Sequence, residues 1–202
     1  VTSTDPVAPT RREQLKLQRR AQLLDAGARL IADRGFFGMR LDDLGAAVGI
    51  SGPAVYRHFP NKEALLVELL IGVSQRLLAG GKAVVARTGS AREALDGLVD
   101  FHLDFALGEP ELIRIQDRDL ENVPPGPRRE LRRTQRQYVE IWVAVLRELH
   151  PELPEETARV QAHAGFGLMN STPHSATNAT ATRARPILRR MALSALVQAA
   201  PG

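Results

Sequence analysis

Cysteine is absent from the 202-residue chain. Disulfides, thiolate zinc sites and cysteine nucleophiles are therefore excluded together, and the composition suits a reducing interior. Aromatic side chains make up only 4%, with one tryptophan and two tyrosines, so each of these marks a position worth explaining. Lysine occurs only at Lys16, Lys62 and Lys82, and arginine carries nearly all the positive charge. No apolar run approaches the roughly 18 residues of a membrane span, and the opening VTSTDPVAPTRREQ has no apolar leader stretch. These two absences predict a cytoplasmic protein with no membrane partner. No segment alternates apolar and polar residues convincingly, so no sheet is expected.

Hydrophobic residues are plentiful at 44%, and they recur with helical spacing throughout. Residues 1–10 are rich in Pro and Thr and read as a disordered tail. Leu17, Leu24 and Ile31 recur every seven residues, with Leu23 and Leu30 beside them, and predict a helix over 11–34 stopped by Gly35. Short helices follow over 40–48 and 51–59. A long one is expected over 61–87, with a bend at Gly80-Gly81. Ser90 is placed to cap a helix running to Leu107, and further helices are predicted over 110–120, 127–149 and 154–170. The stretch STPHSATNATAT reads as a loop before a final helix with Ile187, Leu188, Met191, Leu196 and Val197. The expected fold is all-α, with about nine helices: a helix-turn-helix domain over 11–60, then a larger helical domain over 61–202.

Charge is unevenly spread. Residues 1–62 carry ten basic against six acidic side chains, and residues 63–202 carry seventeen of each, so the formal +4 lies in the first third. That asymmetry points to an anionic partner for the N-terminal part. Within it, residues 40–62 hold a demanding pattern. Gly45 stands where two helices need a small side chain, and Gly49 can supply the left-handed turn between them. Leu44, Val48, Ile50 and Val55 fall where they bury against the first helix. Ser51 can cap the next helix, and Pro53 suits its first turn. Gly52, Pro53, Ala54, Tyr56, Arg57 and His58 are left facing outward, where a second helix entering a major groove meets base edges. Tyr56, His58 and Lys62 can donate to phosphates, and Arg57 can reach a base or a phosphate.

The stretch RGFFGMRLDDLGAAVGISGPAVYRHFPNKEALL resembles the DNA-binding unit of the TetR/AcrR family of bacterial transcriptional regulators. The matching positions run from Gly35 and Phe36 through Asp43, Leu44, Gly49, Ile50, Ser51, Val55, Tyr56, Phe59, Lys62 and Leu65. The resemblance implies a homodimer that reads a palindromic operator in double-stranded DNA and a C-terminal cavity for a small inducer. It implies DNA contact by Arg40, Ser51, Gly52, Pro53, Ala54, Tyr56, Arg57, His58 and Lys62. Arg40 stands where the family usually has a hydroxyl cap, and Pro53 and Ala54 replace the common glycine and threonine. The base preference therefore does not carry over.

The second domain is less explicit. Phe101, His102, Phe105, Gln116, Trp142 and His163 are the candidate ligand pocket, because a helical bundle cavity needs apolar walls with a few polar groups. Residues 114–146 faintly resemble the ligand domains of the family's regulators of lipid and steroid breakdown, which respond to acyl-CoA thioesters. Arg128, Arg129, Arg132, Arg133 and Arg136 could hold CoA phosphates, or could form an exposed ion-pair network with nearby acids. Gly165, Phe166, Met169, Leu188, Met191 and Leu196 are the candidate dimer interface. No catalytic motif appears: Gly-x-Ser-x-Gly, the P-loop and His-Glu-x-x-His are all missing. The reading is a ligand-responsive repressor, not an enzyme, with no cofactor or metal. A regulator of a drug-efflux pump, or a helical ligand-binding protein without DNA binding, are the alternatives.

Overall fold

The structure is a computed structural model that describes residues 10–175 and 180–197. Among the described residues every regular element is helical. The helices are α1 (Arg11–Gly38), α2 (Leu41–Val48), α3 (Gly52–Tyr56), α4 (Lys62–Ala86) and α5 (Ala91–Gly108). They continue with α6 (Pro110–Asp119), a 3-10 turn (Leu120–Asn122), α7 (Pro125–Leu149), α8 (Glu155–Met169), the single turn α9 (Thr172–Ser175) and α10 (Ala181–Val197). The tail over 1–9 and part of the expected loop, 176–179, lie outside the described residues.

The chain divides into two compact units between Leu65 and Leu66, inside α4 and slightly beyond the expected boundary at 60/61. In the first unit, α1 opens with a reciprocal cap. The Glu13 N–H donates to Thr10 Oγ1 at 3.3 Å, while the Thr10 N–H donates to Glu13 Oε2 at 2.7 Å. Gly35 does leave the helical path, at φ 78°, but the chain resumes helical turns as far as Gly38. Leu23 and Ile31 are fully buried, whereas Leu17 is 60% exposed. Residues 11–18 are all exposed, Leu15 included, so the first two turns of α1 lie beyond the packed part of the helix and Leu17 has nothing to bury against. Leu23, Ile31, Leu44, Val55, Phe59 and Leu65 form the dry centre of this unit.

The second unit is a bundle centred on α5, α7, α8 and α10, with Leu95, Leu98, Leu103, Trp142 and Leu146 fully buried. Ser90 caps α5 as expected, accepting from the Glu93 N–H at 3.2 Å. The long arginine-rich helix starts at Pro125 rather than 127, since prolines in a first turn sacrifice no helical N–H. α4 runs on past Gly80-Gly81 as one helix. These glycines serve close approach instead: a Cβ on Gly80 would meet Phe101 Cζ at 2.1 Å, and one on Gly81 would meet Tyr138 Cε2 at 2.7 Å. By length and composition α4 would also pass as a membrane span, with a mean hydropathy of 1.4. In the fold its Leu65, Leu66, Leu70 and Val73 are buried against protein.

Candidate nucleic-acid interface and ligand cavity

α2 and α3 meet through a turn that only glycine can make in two places. Gly49 ends α2 in the left-handed region at φ 70°, ψ 36°. A Cβ on Gly45 would sit 2.9 Å from the Ile50 carbonyl oxygen and 3.1 Å from Val55 Cγ2, so a larger residue there would force α2 and α3 apart. α3 is shorter than the 51–59 span expected, because the N–H groups of His58 and Phe59 both turn back onto the Val55 carbonyl. Ser51 is its N-cap residue by position, yet its hydroxyl makes no capping bond; Arg40 likewise leaves α2 without a side-chain cap.

Arg40, Ser51, Pro53, Tyr56 and Arg57 are exposed, while Gly52, Ala54, His58 and Lys62 are half-buried. Tyr56 leaves half its surface in solvent. Gly52 also has an internal reason to be glycine, since a Cβ would meet Asp42 Oδ1 at 2.7 Å. His58 is held below the usual imidazole range, first by burial and then by the charges of Arg20, Lys16, Arg57 and Arg19. Three of those cations come from α1, and sequence reasoning missed them. Arg20 Nη1 donates to the His58 carbonyl at 3.0 Å with its guanidinium over the Phe59 ring, and Arg19 Nη1 donates to the Val48 carbonyl at 3.2 Å. The signal was present in the sequence as KLQRR, but α1 read alone gave no reason to place it beside α3. Lys62 donates to the Phe36 carbonyl at 3.1 Å and lies over the rings of Phe36 and Phe37. One of its three N–H donors is thus already used within the unit.

In the second unit, a cavity of about 280 Å³ opens among α4, α5, α6, α7 and α8. His102, Phe105, Gln116 and His163 line it, as do Phe166 and Asn170. Phe101 is not on its wall; it faces Gly80. Trp142 is fully buried behind the wall, with its ring centroid 5.0 Å from that of Phe166 and 6.0 Å from that of His102. Ser74, Gln135 and Tyr138 also line the space, and sequence pattern alone did not single them out.

A short relay crosses the cavity wall. His102 Nε2 lies 3.0 Å from Asn170 Oδ1, an acceptor, so Nε2 carries the proton. Nδ1 is then the acceptor for the Tyr138 hydroxyl at 3.2 Å. Burial lowers the His102 pKa to about 4, outweighing the Asn170 contact that favours the charged form. Burial likewise raises the Tyr138 phenol above its ordinary range. Both groups are neutral at pH 7. Asp117, at the rim, is raised by partial burial against the opposing effect of His174.

The arginine cluster on α7 splits. Arg128 and Arg132 both pair with Glu121, Arg132 at 3.0 Å. Arg129, Arg133 and Arg136 are exposed and share a helix face by their spacing. The expected dimer set divides as well. Gly165, Met169, Leu188 and Leu196 are buried within the chain, and a Cβ on Gly165 would meet the Leu196 side chain at 3.3 Å. Phe166 faces the cavity. Met191 is half exposed, as is Ile187 one turn earlier on α10, and Val160 on α8 is exposed too.

One chain thus joins a helix-turn-helix unit to a helical bundle that holds a cavity. The family model for "Bacterial regulatory proteins, tetR family" matches residues 23–69, and that for "Tetracyclin repressor-like, C-terminal domain" matches residues 88–174. The chain belongs to the TetR family of bacterial regulatory proteins. It is 28% identical over 132 residues to the HTH-type transcriptional repressor KstR2 of Rhodococcus jostii (strain RHA1). That match covers 65% of this chain and 65% of the relative, just under two thirds of the relative's length. The ketosteroid transcriptional regulator KstR2 of Mycobacterium tuberculosis superposes with a TM-score of 0.75 at 22% identity, over 87% of this chain and 93% of that one. AibR, solved with isovaleryl coenzyme A and operator DNA, superposes with a TM-score of 0.71 at 18% identity, over 90% of this chain and all of that one.

Proposed function

We propose that the protein is a transcriptional repressor that binds a palindromic operator as a homodimer and releases it when an acyl-CoA thioester enters the cavity. The observation that carries the DNA half is the convergence of Lys16, Arg19, Arg20 and Arg57 on His58, beside exposed Tyr56. Phosphates attract such a cluster without regard to sequence, while α3 offers Tyr56 and Arg57 to groove edges. His58, kept neutral by burial and then by the neighbouring cations, has one N–H to give and no charge of its own.

For the ligand half, the cavity supplies apolar walls and a few polar groups. Exposed Arg129, Arg133 and Arg136 supply donors for CoA phosphates, a role in which Arg128 and Arg132 would compete with Glu121. AibR, solved with isovaleryl coenzyme A, makes this ligand class the reading to test first, and the relative named repressor KstR2 supports repression. α4 carries Lys62 at its start and cavity residues Ser74 and Leu77 further along, so it is the covalent element through which a ligand acts on the DNA-binding unit. For self-association, Val160, Ala164 and Gly167 form an exposed row on α8, and Ile187 and Met191 an exposed apolar pair on α10. A second copy would cover both.

The test is operator affinity, by anisotropy of labelled DNA selected from a random pool, across a salt series and with or without octanoyl-CoA. Affinity should fall steeply with salt, and the thioester should weaken it. By linkage, the thioester must bind the DNA-bound protein less well by the same factor. A thioester that binds yet leaves operator affinity unmoved defeats the sensor reading.

A further inference from the structure

We infer that Gln135 selects the ligand by donating its side-chain amide N–H to an oxygen carried within the ligand's hydrophobic part. The inference rests on the acyl-thioester reading above and sharpens it: the preferred acyl group bears a carbonyl or hydroxyl oxygen beyond its thioester carbon.

Gln135 lines the cavity from α7, and its Nε2 is buried without a hydrogen-bond partner. Two donors beside it are already engaged. Tyr138 donates to His102 Nδ1, and His102 Nε2–H donates to Asn170 Oδ1. Asp117 at the rim, when ionised, can only accept. Among the described residues that line the cavity, Gln135 is the one with a fully buried donor left without a partner. A saturated chain filling the space would seal that N–H away from both water and protein, which is the unfavourable case for any buried donor. A chain with an acceptor at the depth of Gln135 would satisfy it. Sites built around a hydrogen bond discriminate strongly for that reason, since the wrong ligand leaves the protein's own group unpaired. The cavity volume of about 280 Å³ also limits the guest to a compact acyl portion, at the lower edge of the roughly 300–1,000 Å³ usual for ligand pockets.

The experiment uses the full chain and the fluorescence of Trp142, the single tryptophan, which meets cavity residue Phe166 edge to face. Octanoyl-CoA is compared with its keto derivatives, the carbonyl moved stepwise along the chain, on wild type, Gln135→Leu and Gln135→Glu. Unfolding curves on each variant show that it is folded. One keto position should bind wild type about ten-fold or more tighter than octanoyl-CoA. Gln135→Leu should erase that preference by weakening the keto ligand and leaving octanoyl-CoA unharmed, and Gln135→Glu should reverse it. Equal binding of every derivative by wild type overturns the inference, as does a preference that survives Gln135→Leu. Binding of none overturns it together with the thioester reading. Operator release, measured on the same samples, separates the two ideas: a keto preference without release defeats the sensor and leaves Gln135 standing, and release without preference does the opposite.

Discussion

His102 should make this protein lose stability on mild acidification. In the unfolded chain the imidazole titrates at its ordinary 6.5, but burial in the cavity wall holds it to about 4. Below 6.5 the unfolded state therefore binds a proton that the folded state refuses, and stability falls as pH falls. The slope is about 1.4 kcal/mol per pH unit and the loss levels off near pH 4, after about 3 kcal/mol in all. Between about pH 6.5 and pH 5, before carboxylates dominate, the share is about 2 kcal/mol. His102→Leu removes the titration but orphans the Tyr138 hydroxyl and Asn170 Oδ1, so it should be less stable at pH 7 by about 1–3 kcal/mol. Its stability should then change less with pH than the wild type's. Urea unfolding followed by Trp142, 6.0 Å from His102 by ring centroids, reports on this unit directly. His58 is also depressed and adds loss of the same sign, but it is common to both proteins and cancels in their difference. Parallel pH profiles for wild type and His102→Leu would refute the reasoning.

Gly45→Ala puts a methyl 2.9 Å from the Ile50 carbonyl oxygen, so the first unit should lose about 1–3 kcal/mol and DNA binding should weaken; wild-type melting and affinity would contradict the close turn. Lys62→Ala should lower the salt slope of DNA binding by about one if the ammonium reaches a phosphate, whereas lower thermal stability with an unchanged slope would leave it only its Phe36 contacts. Arg57→Ala should reduce discrimination between operator and random DNA by about 1–3 kcal/mol, and equal losses on both would assign it to phosphate. Trp142→Ala should destabilise the second unit by about 3–5 kcal/mol, because the indole is fully buried, and calorimetry showing a wild-type transition would place it elsewhere.

The all-helical class, the glycine turn at 45–49 and the outward run around Tyr56 were legible from residues alone, because they depend on local rules: helical period, left-handed φ, a proline tolerated in a first turn. The heptad reading of α1 misled at Leu17 because the first two turns of the helix are exposed on every face, and where packing begins along a helix is not a local property. The likeness of 34–66 to a known DNA-binding unit was legible too, since that surface is built from one continuous stretch. What only tertiary structure decided is which distant residues meet. Lys16, Arg19 and Arg20 reach the His58 neighbourhood because α1 packs beside the turn, and no local pattern encodes that distance. Phe101 and Trp142, apolar on paper like any cavity wall, went to a glycine notch and to the core, while Ser74, Gln135 and Tyr138 took the cavity face. Which side of a bundle helix fronts an empty space rather than a neighbour depends on where the other helices lie. Gly165 shows the same limit: its small size was visible in the sequence, but whether it admitted a second chain or the chain's own Leu196 was settled by the packing of α8 against α10.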